Sequence, residues 1–354
     1  MNSFRDHRLR DFAVPMSTNW LLNDIAEAKG KQGLYTHQSP QLLKALRETA
    51  LVQSVESSNR IEGVTVEASR LRPLVLGHAR PKDRSEQEIA GYRKALNLIH
   101  TDAANLQITP SLMRRLHKLC QEGSGDAGEF KKVDNEVIEL RPGEAPVVRF
   151  KCVSAKATPA AVGELCLVYR HAIDQDHIPP LVAVGALILD FLCIHPFRDG
   201  NGRVSRLLTL PALYQHGYEV GRYISLERLV EESKEDYYHV LRQSSQRWHG
   251  AKHDLLPWLN HFLAVIRRAY GEFEQRAGQI KAPRGAKSEL LHQTVENLTG
   301  DFTVTELERL CPGTSREHLR RLLKEMKLEG LITCIGRGPG AKWRKEGHNP
   351  KRGS

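Results

Sequence analysis

No two of the six cysteines are spaced as C-x-x-C. Cys120, Cys152, Cys166, Cys193, Cys311 and Cys334 are scattered along 354 residues, several inside apolar stretches. That scatter argues against both a zinc framework and a disulfide framework, and free, mostly buried thiols are expected. Long hydrophobic runs are also missing: the longest, Leu181 to Ile194, is broken by Asp190 and falls short of the roughly 20 residues that span a bilayer. The first eight residues, Met1-Asn2-Ser3-Phe4-Arg5-Asp6-His7-Arg8, lack the apolar core of a secretory signal. The expectation is therefore a cytoplasmic chain with no membrane partner. Neither a repeat of fixed period nor a low-complexity tract is present.

What is there is ordinary for a packed protein. Hydrophobic residues make up 40% and charged residues 27%, and the length suffices for two or three domains. The net charge of +10 is moderate and suits either an acidic partner or a solvated surface. Its distribution is more informative: residues 281–354 hold 15 Lys and Arg against 9 Asp and Glu. A basic C-terminal module follows, with nucleic acid as the first partner to consider.

From about residue 17 to 275 the apolar residues recur at helical spacing, as in Leu42-Leu43-x-x-Leu46 and Ile89-x-x-Tyr92-x-x-x-Leu96-x-x-Ile99. The exception lies between Gly128 and Ala155. There Val133 to Leu140 and Val147 to Val153 flank Arg141-Pro142-Gly143-Glu144, whose Pro-Gly pair suits a type II turn, so a β-hairpin is expected. The body ends in an amphipathic helix near Leu255 to Gln275, and Gly278, Pro283 and Gly285 among basic residues read as a linker. Beyond it, Thr303-x-x-Glu306 and Thr314-x-x-Glu317 read as capping boxes that open two helices, the second spanning Ser315 to Glu329. Leu331 to Ile335 and Ala341 to Arg344 then bracket the turn Gly336-Arg337-Gly338-Pro339-Gly340. Helix, turn, helix and β-wing in that order suggest a winged helix-turn-helix domain. The domain reading is an N-terminal helical region 1–105, a core 106–275, a linker 276–287, a winged helix 288–345 and a basic tail 346–354.

The chemistry is concentrated in His195-Pro196-Phe197-Arg198-Asp199-Gly200-Asn201-Gly202-Arg203. Leu181 to Ile194 is apolar on nearly every face, which marks a buried helix that Pro196 stops. The next helix begins near Arg203, and Gly200-Asn201-Gly202 leaves a backbone free to turn N–H groups inward. Such a helix N-terminus binds phosphate through orphan donors and the positive end of its dipole. Arg203 and Arg206 add charge to that anion site. Asp199 is a hard oxygen ligand of the kind Mg²⁺ uses beside nucleotide phosphates. His195, with its near-neutral ordinary pKa, suits the removal of a proton from an attacking hydroxyl. These are the parts of a phosphoryl or nucleotidyl transfer site. No Walker A segment competes, since Gly30-Lys31 is followed by Gln32 without the loop glycines. Each part alone has a plainer explanation, in a capping histidine, a turn or solvated arginines. Their adjacency within about a dozen residues is what packing does not require.

At this point the sequence closely resembles the Fic/Doc family, whose pattern H-P-F-x-[DE]-G-N-G-R-x-x-R is met by His195 to Arg206 at every position. The resemblance covers roughly residues 45–265, with further landmarks at Glu86-x-Glu88-Ile89-x-Gly91-Tyr92-x-x-Ala95, Gly128-Glu129-Phe130-Lys131 and Tyr237-Tyr238. It implies a mainly α fold, a Fic helical bundle with a β-hairpin flap, and AMP transfer from ATP to a Tyr, Thr or Ser hydroxyl of a target protein. It makes His195 the base, Asp199 the Mg²⁺ ligand, and Gly200, Asn201, Gly202, Arg203 and Arg206 the phosphate contacts, with Tyr237 and Tyr238 on the adenine side. Lys131 stands where an Arg is commoner and Ser245 where some members have Asn, departures that bear on the base contacts. The hairpin either aligns the target by strand addition or packs over the core. A homodimer is implied by the family alone.

Ser58-Asn59-Arg60-Ile61-Glu62-Gly63 also fits the family's inhibitory pattern [ST]-x-x-x-E-[GN]. Ser58 and Glu62, four apart, share a helix face, and Gly63 is a natural helix stop. The resemblance implies that Glu62 pairs with Arg206 and denies the γ-phosphate its place, and that releasing it also raises self-labelling. Kinase members of the Doc type depart from Gly-Asn-Gly-Arg at the third position, usually to Lys, and Gly202 argues against that chemistry. Removal of AMP and phosphocholine transfer reuse the same site and stay open. A second class is a DNA-binding regulator with a sensor body, in which Arg316, Arg320 and Arg321 contact groove or phosphates; winged helices also make protein contacts.

Overall fold

The structure, a computed structural model, describes residues 1–36, 40–139, 147–278, 291–292, 294–295, 301–310, 315–336, 338 and 341–345. The Arg141 to Glu144 turn, Thr314, most of the linker and wing turn, and the tail lie outside these. The chain divides into two units, Met1–Ala277 and Gly278–Ser354.

Among the described residues the first unit is helical apart from one strand pair. α1 (Met16–Thr36), α2 (Pro40–Ile61), α3 (Ala68–Leu76), α4 (Arg84–Asp102) and α5 (Pro110–Cys120) precede the pair, and α6 (Thr158–Asp174) follows it. α7 (Pro180–Ile194) is the centre: every residue from Leu181 to Ile194 is buried, as a sequence apolar on nearly every face demands. Pro179 and Pro180 open it, where a missing N–H costs nothing, and His195 closes it in the left-handed region at φ 51°. Asp190, the break in the apolar run, is fully buried. It accepts hydrogen bonds from the Ser3 hydroxyl at 2.6 Å and backbone N–H at 3.1 Å, and from Trp248 Nε1 at 2.5 Å. Burial raises its pKa. That residue therefore ties the N-terminal segment and Trp248 to the central helix. Around α7 pack α6, α8 (Asn201–Tyr214) and α10 (Lys234–Ser245), while α2 lies along α9 (Leu226–Glu232). α11 (Leu256–Gly278) closes the unit and runs three residues beyond its expected end.

The strands β1 (Glu136–Glu139) and β2 (Val147–Lys151) pair antiparallel, with a register shift between Val137 and Ile138. β1 starts three residues later than the alternation suggested. Asp134 and Asn135 are used elsewhere: Asp134 accepts from Ala155 N at 2.7 Å, and Asn135 Nδ2 donates to Phe197 O at 3.0 Å. Among the described residues no helix is long and apolar enough to cross a membrane.

The second unit holds a helix over Val304–Leu310, another over Arg316–Leu328, and the strands β3 (Phe302–Thr303), β4 (Ile332–Ile335) and β5 (Lys342–Lys345), ordered β3-β5-β4 and antiparallel. Thr303 and Glu306 hydrogen-bond reciprocally at the start of the first helix. Ser315 caps the second by accepting from His318 N at 3.3 Å. Leu319, Leu322, Leu323 and Met326 bury one face of that helix, which leaves Arg320, Arg321 and Lys324 on the exposed face.

Candidate functional site

The site is the turn from α7 into α8, and hydrogen bonds from three directions fix its backbone. Asn201 Oδ1 accepts from Phe197 N at 2.9 Å, and its Nδ2 donates to Phe197 O at 2.8 Å. Its side chain is thus spent inside the loop, so what Asn201 can offer a ligand is main chain. Lys131 Nζ donates to Ile194 O at 3.1 Å and to Asn135 Oδ1 at 2.7 Å, placing a cation at the C-terminal carbonyls of α7. Burial lowers the pKa of Lys131. From α5, the His117 ring stacks on Phe197 at 3.9 Å between centroids, and its Nε2 donates to Asp199 O at 3.1 Å.

His195 lines a cavity of about 410 Å³ together with Glu62, Gly202, Arg206, Tyr237 and Tyr238. Its Nδ1 lies 3.2 Å from Leu192 O. A carbonyl only accepts, so Nδ1 carries the proton and Nε2 of the neutral ring keeps its lone pair. The near-neutral pKa that residue type alone suggests does not hold here. Burial pushes it down to about 4, against smaller upward pulls from Leu192 O, Glu62 and Asp199. At pH 7 the imidazole is therefore already in its base form.

Gly200 caps α8 in the left-handed region at φ 76°, and a Cβ there would overlap Gln121 Nε2. The first turn of α8 leaves main-chain N–H groups without intrahelical acceptors. Asp199 stands beside it with its side chain 75% exposed. Its Oδ1 accepts from Gly200 N at 2.6 Å and its Oδ2 from Gln121 Nε2 at 3.1 Å. An exposed carboxylate with lone pairs beyond these two bonds fits an Mg²⁺ held by one carboxylate and otherwise by nucleotide phosphates and water. Among the described residues no cluster of three acidic, His or Cys side chains offers a full protein cage.

The two arginines diverge. Arg203 is 2% exposed, ion-paired with Glu88 of α4, 3.5 Å from Asn59 Oδ1 and 3.5 Å from Asp199 Oδ2. It does not line the cavity. Residues three apart on a helix are offset around its axis, and α4 covers the side that Arg203 takes. Its guanidinium therefore braces α8 against α2 and α4, where the sequence suggested direct phosphate contact. Arg206 does line the cavity. Its Nε donates to Ser58 Oγ at 2.8 Å, and its Nη2 to Ser58 O at 2.9 Å and Glu62 Oε1 at 2.7 Å. Burial opposes this charge, and Glu62, Tyr92 and Tyr237 together outweigh it, so the pKa lies above the ordinary arginine value. Glu62 Oε1 sits so close to α8 that a Cβ on Gly202 would overlap it. The carboxylate thus lies against the first turn of α8. Gly63, at φ 81°, turns the chain away immediately afterward.

Tyr237 is buried, edge-on to Trp258 at 5.5 Å and to Tyr238 at 5.2 Å, and burial raises its pKa to about 12. Tyr238 is 41% exposed and presents its ring to the cavity. Arg316, Arg320 and Arg321 lie in the second unit. The sequence reading gave no role to His117, Gln121, Asn135 or Glu88. Of these only Glu88 fell within a quoted landmark, and it carried no spacing that points to this loop.

Residues 107–213, from just before α5 to the end of α8, match the model of the Fic/DOC family. Among curated proteins the chain is similar to protein adenylyltransferase Fic of Drosophila virilis, 25% identical over 222 residues, covering 59% of this chain and 41% of that protein. It is likewise 25% identical over 293 residues to the Drosophila melanogaster protein, covering 75% of this chain and 55% of that one. The chain thus spans between two fifths and just over half of these relatives' length. In fold it is similar to a Fic family protein from Desulfovibrio desulfuricans G20, with TM-score 0.59 and 21% identity, covering 96% of this chain and 98% of that one. A Fic domain containing signaling protein from Bacteroides thetaiotaomicron VPI-5482 aligns with TM-score 0.61 and 23% identity, over 72% of this chain and 98% of that one. Matched segment, relatives and fold agree, and residues 107–213 of this chain are a Fic/DOC family domain.

Proposed function

We propose that the chain is a protein adenylyltransferase that moves AMP from ATP to a Tyr, Thr or Ser hydroxyl of a target protein and to itself, restrained by Glu62. The observation that carries this reading is His195, unprotonated at Nε2, lining one cavity with Gly202 and Arg206 at the α8 N-terminus. The target hydroxyl gives its proton to His195 Nε2. Its oxygen bonds to the α-phosphorus, and the bond to the bridging oxygen breaks, releasing diphosphate. The α8 N–H groups and Arg206 hold the phosphates, and Tyr238 covers the base. Mg²⁺ at Asp199 would offset charge on the phosphates. β1 and β2 form the flap, with exposed Ile138, Val147 and Val148, and an extended target segment would pair along it. Incubation with ATP labelled on the α-phosphate, and mass spectrometry of the product, tests this: added AMP supports it, and added phosphate supports the kinase alternative.

The pH profile is a sharper check. His195 must be neutral to accept a proton, and burial holds its pKa at about 4. Transfer by the Glu62→Gly protein is therefore expected to stay level from pH 8 down to about 5 and to fall only below that. An acid limb centred near the ordinary histidine value of 6.5 contradicts the buried-base assignment.

The second unit supports a second reading, as a winged helix on double-stranded DNA. Arg320, Arg321 and Lys324 share the face of their helix opposite Leu319, Leu323 and Met326, and Arg316 stands on its first turn. The body would then act as a sensor. Affinity for duplex DNA is expected to fall steeply with salt, and Arg320→Ala with Arg321→Ala to reduce the log–log salt slope by about two. No gel shift at low salt removes this reading and leaves the enzyme untouched.

A further inference from the structure

Glu62 follows the last residue of α2, so its position depends on how that helix end is held. Several contacts hold it. Lys234 Nζ donates to Ile61 O at 3.0 Å. Arg60 pairs with Glu231 of α9 at 3.0 Å and with Glu56 at 2.6 Å. One turn and more earlier, Ser54 Oγ donates to Glu227 Oε2 at 2.7 Å. Lys234 differs from the others in two ways. It places a full charge on a C-terminal carbonyl of α2, where the helix dipole is negative and the carbonyl has no intrahelical donor. It is also the first residue of α10, the helix that carries Tyr237 and Tyr238 three and four positions on. Its ammonium lies 6.0 Å from the Tyr238 ring centroid.

We propose that Lys234 is a positioning residue for Glu62: a latch that fixes the last turn of α2, and with it the carboxylate on Arg206, to the helix that walls the nucleotide cavity. This rests on the reading of Glu62 as a brake. The geometry leaves little slack. Glu62 N and Gly63 N both donate back into that turn, to Asn59 O and Arg60 O at 3.0 Å each. Gly63 at φ 81° then reverses the chain. A shift of the Ile61 carbonyl therefore moves the Glu62 Cα directly. Glu62 Oε1 sits against Gly202, where there is no room to adjust in one direction. Lys234 itself is exposed, and among the described residues no hydrogen bond or ion pair joins it to His195 or Arg206, so its effect on transfer runs through the helix end.

The test compares self-labelling from labelled ATP in wild type, Lys234→Met, Lys234→Arg, Glu62→Gly and the Lys234→Met/Glu62→Gly double variant. Lys234→Met is expected to raise labelling about fivefold over wild type, the size of losing one cation from a helix C-terminus, and Lys234→Arg to keep the wild-type rate. In the Glu62→Gly background the same Met substitution is expected to change neither kcat nor the KM for ATP by as much as twofold. A purely structural or nucleotide-binding lysine would move both backgrounds alike, and that result overturns the latch. A second measurement needs no activity: amide hydrogen exchange at residues 59–64 is expected to speed up in Lys234→Met. Unchanged exchange there overturns the latch alone. A Glu62→Gly protein that labels no faster than wild type overturns the brake reading and the latch with it.

Discussion

Replacing His195 by alanine is expected to lower AMP transfer about a hundred- to ten-thousandfold, the range for losing a positioned general base, while the protein stays folded. The imidazole hydrogen-bonds to the Leu192 carbonyl, three residues back in the same chain segment, and otherwise faces the cavity. Its removal therefore enlarges a space that already exists and breaks no contact between helices. The loop around it is kept by other side chains: Asn201 on Phe197, Lys131 on Ile194 and His117 on Asp199. The measurement is labelled AMP incorporation in the Glu62→Gly background, so that the loss is read from an unrestrained rate, with a thermal melt of each protein alongside. Transfer that survives His195→Ala within tenfold, in a protein that melts like its parent, sinks the proposed mechanism.

How much of this was legible in the sequence depends on where each partner lies. The 195–206 segment was legible because its chemistry is contiguous, and α7 because fourteen buried residues in a row, apolar but for Asp190, admit little else. The pairing of Ser58 and Glu62 on one face followed from helical period alone. The supports of the loop were not. Gln121, Asn135 and Glu88 come from the C-cap of α5, the approach to β1, and α4, and only folding brings them to residues 194–203. Residue type also misled at two places. Histidine suggests a group poised near neutrality, yet burial sets His195 well below it. Arginine three residues from arginine suggests a shared anion, yet α4 draws Arg203 into a buried pair with Glu88. Break-even arithmetic for buried ion pairs makes such a brace a matter of geometry more than of stability. It fixes the roll of α8, and the roll decides that Arg206 faces the cavity.

Glu62→Gly is expected to raise both target and self-labelling about ten- to hundredfold, which corresponds to a charge-assisted hydrogen bond of roughly 1.5 to 3 kcal/mol. In the resting arrangement the carboxylate takes one N–H of Arg206 and the space over Gly202 at the head of α8. Both are places where a nucleotide phosphate would bind. Removing the side chain frees them without releasing the arginine, because Ser58 still accepts from Nε at 2.8 Å and its carbonyl from Nη2 at 2.9 Å. The guanidinium is thus left oriented and uncompensated, an arrangement that favours an incoming anion over the vacated state. A change confined to the KM for ATP would place Glu62 in simple competition with the whole nucleotide. A rise in kcat as well would mean that ATP binds the restrained enzyme with its phosphates out of line. Purified Glu62→Gly that incorporates no more labelled AMP than wild type removes Glu62 from regulation altogether, and leaves its ion pair with Arg206 as a structural contact.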